Sequence, residues 1–190
     1  MTKGGWDMTR EQAWQLLCEW TPSESLRKHG LAVEAAMRFY AARFGEPEEE
    51  WAAVGLLHDF DYERYPTEQD HPFRGVEHLR TLGVPETWLN AILSHASYSG
   101  VQPETLMAKT LVACDELTGL VTAAVLVLPS KKLADLKPSS VRKRMKETGF
   151  ARKVNREDIL RGADLLGVSL DEHIENVVRA MQAASAALDS

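Results

Sequence analysis

Histidines are concentrated in one part of this 190-residue chain, in positions that surface residues rarely occupy. Five of the six lie between positions 29 and 95. His29 falls between Leu26 and Val33, on the apolar face of a predicted helix, and His95 lies on the inner face of another. His58 ends an apolar run and is followed directly by an aspartate. Neutral imidazoles in such positions are either hydrogen-bonded core residues or ligands of a metal ion.

Two further residues have the same character. Asp115 lies within Leu111-Val112-Ala113-Cys114-Asp115, in the middle of a predicted core helix, and His71 precedes Pro72 at the start of another. A buried carboxylate is normally neutralised, paired or metal-bound. Taken singly, Asp115 could pair with an arginine and His71 could cap a helix. A single metal centre accounts for all these polar insertions together, and imidazole and carboxylate ligands suit Zn, Mn or Fe.

Helices must position these residues, because apolar residues recur at helical spacing and no segment shows sustained strand alternation. We predict an all-α, compact, single-domain bundle over residues 1–190, with a core at about 23–128 and a helical extension at about 129–190. Capping residues, glycines and prolines place the helix boundaries. The predicted helices are Thr9–Trp20, Ser23–Phe44, Glu48–His58, Pro72–Gly83, Pro85–Tyr98, Pro103–Leu128, Ser139–Lys146, Arg156–Leu166 and Ser169–Leu188.

Composition and charge limit the possible partners. Hydrophobic residues make up 44% and charged residues 26% of the chain, which is typical of a globular protein. The net charge is −6, yet Lys131 to Arg156 contains ten basic and two acidic residues. An acidic protein with one basic segment argues against binding a nucleic-acid polymer. The segment is either a site for a small anionic substrate or a solvated helix face.

The ends and apolar runs of the sequence indicate a cytoplasmic location. Met1 to Arg10 contains no apolar stretch typical of a secretory signal, and Leu120 to Leu128 is too short to cross a bilayer. We therefore expect a cytoplasmic protein that does not contact membranes. The sequence assigns no oligomeric state.

The order of these residues resembles that of the HD-domain metalloprotein superfamily, over about Arg27 to Gly119. The matching motifs are Leu56-Leu57-His58-Asp59, His71-Pro72 with Gly75, Ile92 with His95, and Ala113-Cys114-Asp115. The resemblance implies an HD-domain helical bundle. It also implies that His29, His58, Asp59 and Asp115 hold a first metal, and that His71 and His95 hold a second with Asp59 bridging.

The sequence departs from the HDIG pattern at two points. His58-Asp59-Phe60-Asp61 replaces His-Asp-Ile-Gly, and Ala96 follows His95 where some two-metal relatives have a second histidine. These departures argue against a phosphodiesterase specific for cyclic dinucleotides. The C-terminal part, Lys131 to Met181, is similar to that of HDIG-type predicted hydrolases.

The resemblance implies a metal-dependent phosphohydrolase that activates water with one or two divalent ions, which could be Mn, Fe, Zn, Co or Ni, with Mg possible. The substrate would be a small phosphate ester, such as a nucleotide phosphomonoester or phosphodiester. Two alternatives stay open: a mixed-valent di-iron oxygenase with the same ligand order, and a non-catalytic ligand-sensing HD module.

Roles for individual residues follow from that interpretation. Asp59, His58 and Asp61 are the predicted catalytic residues. Asp61, together with Glu63, is a candidate for orienting ligands or water, although both could be surface carboxylates. The candidates for contacting a substrate phosphate are Arg27, Lys131 and Lys143, with Lys28, Lys132, Arg142 and Lys146 as further possibilities. His78 and His173 are predicted to be ordinary surface residues.

Overall fold

The computed structural model describes residues 8–188 and is all-helical in that range, which confirms the predicted fold class. The ten α-helices are α1 Arg10–Trp20, α2 Glu24–Phe44, α3 Glu48–Leu57, α4 Phe73–Thr81, α5 Glu86–His95, α6 Leu106–Leu126, α7 Pro138–Met145, α8 Arg156–Leu166, α9 Leu170–Ala183 and α10 Ser185–Leu188. Within residues 8–188, no helix is both long and apolar enough to cross a membrane.

Local capping determines where most helices begin and end. The side chains of Thr9 and Ser23 accept hydrogen bonds from backbone N–H groups in the first turns of α1 and α2. Gly45 ends α2 in the left-handed conformation, with φ of 72°. The predicted boundaries of α1 and α2 are therefore correct to within one residue.

Three predicted helices differ from the structure by more than two residues at one end or are interrupted. The helix predicted to reach Tyr98 ends at His95 and is followed by a short 3-10 turn, Ser97–Ser99. α6 begins at Leu106 rather than Pro103, because Thr105 accepts a hydrogen bond from the backbone N–H of Ala108. The last predicted helix is interrupted at Ala184, which separates α9 from α10.

The helices that carry the suspected ligands pack closely on one another. α2 lies against α3 and α6, and α6 also packs on α5 and α8. At Gly55 an added Cβ would lie 3.0 Å from the Cα of Glu34, and at Gly162 it would lie 2.4 Å from the Cα of Ala113. Glycine therefore allows α3 to approach α2, and α8 to approach α6, to a distance that a side chain would prevent.

The helix α9 packs on the same core, against α2 and α6. His173 on α9 is fully buried, so its prediction as a surface residue was wrong. Its Nδ1 lies 2.6 Å from the hydroxyl of Tyr40 on α2, and its Nε2 lies 2.7 Å from the carbonyl oxygen of Ala113 on α6. These two hydrogen bonds satisfy the ring and join α9 to both ligand-bearing helices.

Candidate metal centre

The first group of suspected ligands comes from three different elements. His29 lies on α2, His58 follows the last residue of α3, and Asp115 lies on α6. The Nε2 atoms of His29 and His58 are 3.2 Å apart, and the Oδ1 atom of Asp115 lies 3.0 Å and 3.5 Å from them, respectively. These ligand atoms thus converge on one point that a single cation could occupy.

The second group is built around Asp59. The Oδ1 atom of Asp59 lies 3.2 Å from the Nε2 of His71 and 3.0 Å from the Nε2 of His95. Its other oxygen, Oδ2, faces the first group, at 3.5 Å from the Nε2 of His58 and 3.8 Å from that of His29. Asp59 therefore presents one oxygen to each group, which is the arrangement of a bridging carboxylate.

The remaining ring nitrogens show that this set of residues fits a metal. The Nδ1 of His58 lies 2.7 Å from the carbonyl oxygen of Gly55, and the Nδ1 of His95 is hydrogen-bonded to the carbonyl oxygen of Ile92. Such bonds place the hydrogen on Nδ1 and leave Nε2 with a free lone pair. The donor set of imidazole nitrogens and carboxylate oxygens suits divalent transition metals.

Asp61 orients the third of these rings. Its Oδ1 accepts a hydrogen bond from the Nδ1 of His71 at 2.7 Å, and its Oδ2 accepts one from the backbone N–H of Gly75 at the same distance. The side chain is 1% exposed. Asp61 therefore lies behind a suspected ligand and positions it, whereas Glu63 is exposed and accepts from the backbone N–H of Ser23.

Proton affinities at the site indicate that it stabilises positive charge. Burial lowers the pKa of His71, but the carboxylates of Asp59 and Asp61 outweigh that effect and raise the pKa to about 9. The pKa values of His58 and His95 are also raised, because nearby carboxylates outweigh burial. Burial in turn raises the pKa of Asp59, yet the facing histidines hold it well below its usual range.

The pKa of Asp115 is shifted by the same two opposing effects, burial and the facing histidines. Burial raises its pKa, and the histidines His58 and His29 outweigh that effect, so its pKa is lowered overall. The partners of Asp115 are thus the histidines of the first group rather than an arginine.

The two groups open into one pocket of about 550 Å³, within the size range of small-molecule sites. The pocket is also lined by side chains that the sequence analysis did not single out: Tyr62, Tyr98, Glu116 and Lys153. Burial is the main cause that raises the pKa of Glu116 to about 7. The one sequence signal for Lys153 was its membership of the basic segment, since nothing in the local pattern distinguishes it from its neighbours.

The basic residues predicted to meet the substrate lie elsewhere. The guanidinium of Arg27 donates to the carbonyl oxygens of Thr21 and Cys18 at the end of α1. Lys131 lines a separate cavity together with Lys28 and Leu133. Lys143 is exposed on α7. None of the three is among the residues that line the pocket in the described part of the chain.

Comparison with known proteins agrees with this geometry. The family model of the HD domain matches residues 26–120, half of the chain and all six suspected ligands. No curated protein and no solved structure matches the sequence. The match spans α2 to α6, the helices and loops that bring the two groups of ligands together. The chain therefore belongs to the HD-domain family.

Proposed function

We propose that this protein is a metal-dependent hydrolase of a small phosphate ester, with nucleotides as the first substrates to examine. Proteins of the HD-domain family are generally metal-dependent phosphohydrolases. The observation that carries the proposal is the division of the Asp59 oxygens between His29 and His58 on one side and His71 and His95 on the other.

The chemistry requires each part of this arrangement. A pair of divalent ions bound here would lower the pKa of a bound water and stabilise the negative charge of a phosphoryl group. His58 and Asp59 lie next to each other in the middle of the ligand set. The hydrogen bond from His71 to Asp61 keeps the Nε2 of His71 directed at Asp59. Asp59 and His58 are thus proposed to act as ligands, and Asp61 as a positioning residue.

The pocket supports a small substrate rather than a polymer. Its volume of about 550 Å³ matches a compact organic phosphate, and two exposed tyrosines, Tyr62 and Tyr98, line it. Exposed aromatic rings offer flat apolar surfaces on which the planar base of a nucleotide can stack. We propose that the partner is this small substrate and that the protein binds neither a nucleic-acid polymer nor a membrane. A cytoplasmic location stays a prediction.

One observation favours a second candidate, the mixed-valent di-iron oxygenase. His71 and His95 both face the same oxygen of Asp59, and two imidazoles with a bridging carboxylate also suit iron. The oxygenase would differ from the hydrolase by bound iron and by consumption of O2 during turnover. A ligand-sensing module would bind metal without turning over any substrate.

Metal analysis followed by activity assays tests the proposal. Purified protein is expected to contain divalent metal and to hydrolyse phosphomonoesters or phosphodiesters when loaded with Mn, Co, Mg or Zn. In Asp59→Asn, hydrolysis should fall at least about 100-fold, because both groups of ligands lose the shared carboxylate. A fully loaded protein that hydrolyses no ester, or one that instead consumes O2 with bound iron, would exclude the hydrolase.

A further inference from the structure

The C-terminal extension supplies part of the wall of the pocket. Lys153, Val154 and Asn155 line the pocket, as does Asp158 in the first turn of α8. All four lie outside residues 26–120, which the family match covers. The suspected ligands of this pocket therefore lie within the matched family domain, whereas this part of the wall lies outside it.

The segment that forms the wall is tied down by an arginine. The guanidinium of Arg156 donates to the carbonyl oxygens of Ala151 and Val154, each at 3.0 Å. It also donates to the carbonyl oxygens of Glu147 at 3.2 Å and of Phe150. A single cation thus satisfies four backbone acceptors and fixes the course of residues 147–154.

The same segment is attached directly to the helix that carries Asp115. The backbone N–H of Asn155 donates to Glu116 Oε2 at 3.0 Å, and Val154 packs beside Gly119. Both partners lie on α6. The position of the wall is therefore coupled to that of a suspected metal ligand, and residue 153 is held at the pocket rather than in a free loop.

Charge separates Lys153 from the other residues of the wall. It is the one Lys or Arg among the residues that line the pocket within 8–188. Two nearby arginines are engaged in ion pairs, Arg142 with Asp171 and Arg144 with Glu147, whereas no ion pair in the described chain involves Lys153. The side chain is exposed, so its ammonium is available to an incoming anion.

We infer that Lys153 is the substrate-anion contact of this pocket, held there by the segment that Arg156 fixes. This inference rests on the proposed phosphohydrolase function. A lysine binds a phosphoryl group as a compact point charge, without the fixed geometry of a guanidinium. The contact acts on the bound substrate and not on the metal, so removing it should weaken anion binding while the metal content stays unchanged.

Binding of inorganic phosphate to the Mn-loaded protein, measured by isothermal titration calorimetry, tests the inference without requiring turnover. We expect Lys153→Ala to weaken phosphate binding about tenfold, with the difference shrinking at high salt because the ammonium is exposed. Lys153→Arg keeps the charge and should bind within about threefold of wild type. Lys146→Ala is the matched control, since Lys146 is exposed in the same basic segment but does not line the pocket.

Steady-state kinetics with p-nitrophenyl phosphate provide a second readout. Lys153→Ala should raise KM with little change in kcat, the pattern of a lost contact that is equal in the ground and transition states. Metal content, measured by mass spectrometry, should match that of wild type.

The outcomes separate this inference from the proposed function. Lys153→Ala that binds phosphate as tightly as wild type overturns the inference, whatever the protein hydrolyses. Phosphate binding that depends on Lys153, in a protein that hydrolyses no ester, supports the inference and removes the hydrolase. Wild-type protein that binds Mn but no phosphate overturns the inference, and it overturns the proposed function only if it also hydrolyses no ester.

Discussion

Replacing Asp61 with asparagine would test whether a buried carboxylate behind the site controls the second metal position. Asp61 accepts two hydrogen bonds, one from the ring of His71 and one from the backbone N–H of Gly75. Asparagine has the same shape, but it offers one acceptor oxygen and an NH2 group. Either the ring or the backbone N–H must therefore face a donor in the variant.

The magnitude follows from the burial of this group, which is 1% exposed. A hydrogen bond to a charged group contributes about 1.5–3 kcal/mol, and a buried donor left unpaired costs about 1–3 kcal/mol. We expect the free energy of unfolding of the metal-free protein to fall by about 2–4 kcal/mol. If the NH2 group instead donates to the Nδ1 of His71, the hydrogen moves to Nε2 and removes the ligand lone pair.

Metal binding should separate into two effects. Affinity at the position of His71 and His95 is expected to fall about 10–100-fold, the usual effect of losing a residue that orients a ligand. The group of His29, His58 and Asp115 makes no contact with Asp61 in the described structure and should keep its affinity within about threefold.

Titration of chelator-treated protein with Mn or Zn, together with urea unfolding, measures both quantities. Glu63→Gln is the control, because Glu63 is exposed and its bond to Ser23 can be kept by the amide oxygen. Two metal equivalents bound by Asp61→Asn with wild-type affinities would refute the positioning role. Loss of both sites at once would show that the two groups are not separable.

Three further outcomes are expected. Asp115→Asn should stay folded but lose metal and hydrolysis, because it removes the negative charge that Asp115 supplies to the first group, and full metal content in this variant would contradict the assignment. Since its pKa is raised from 6.5 to about 9, His71 stabilises the metal-free fold fully below pH 6.5. This contribution, at most about 3–4 kcal/mol, is lost as the pH rises through 9, so equal urea midpoints at pH 6 and pH 9.5 would disprove it. Gly162→Ala should destabilise the protein by about 1–3 kcal/mol and weaken metal binding, because the new methyl group would overlap Ala113. Gly149→Ala is the control, since there is open space around Gly149, and it should change neither quantity in the same unfolding and metal titrations.

The helices could be predicted from the sequence because their signals are local. Thr9, Ser23 and Gly45 form caps whose bonds involve residues only a few positions away, and the apolar spacing of α2 identifies its buried face. The errors also have local causes. The start of α6 was placed at Pro103 instead of after Thr105, because a proline in the first turn and a threonine N-cap are both typical of a helix start.

The suspected ligands were identifiable because polar groups on an apolar face are unfavourable unless something compensates them. His29 and Asp115 stood out on those grounds, and the structure places their ligand atoms 3.0 Å apart, although 86 residues separate them in sequence. Whether they bind a metal stays a prediction. His173 carried the same kind of signal on α9, and we misjudged it because its partners, Tyr40 and Ala113, lie far away in sequence.

By itself, the sequence determined the helices and the set of candidate ligands, since both depend on residue type and short-range spacing. Only the tertiary structure decided that Asp61 is buried behind His71 and that Lys153, rather than Lys131 or Lys143, lies at the pocket. The reason is physical: a solvated lysine looks the same at every position of a basic segment. The role of Lys153 depends on how the chain folds back towards the pocket. That course is fixed by the hydrogen bonds of Arg156 to backbone carbonyls, which no sequence pattern reveals.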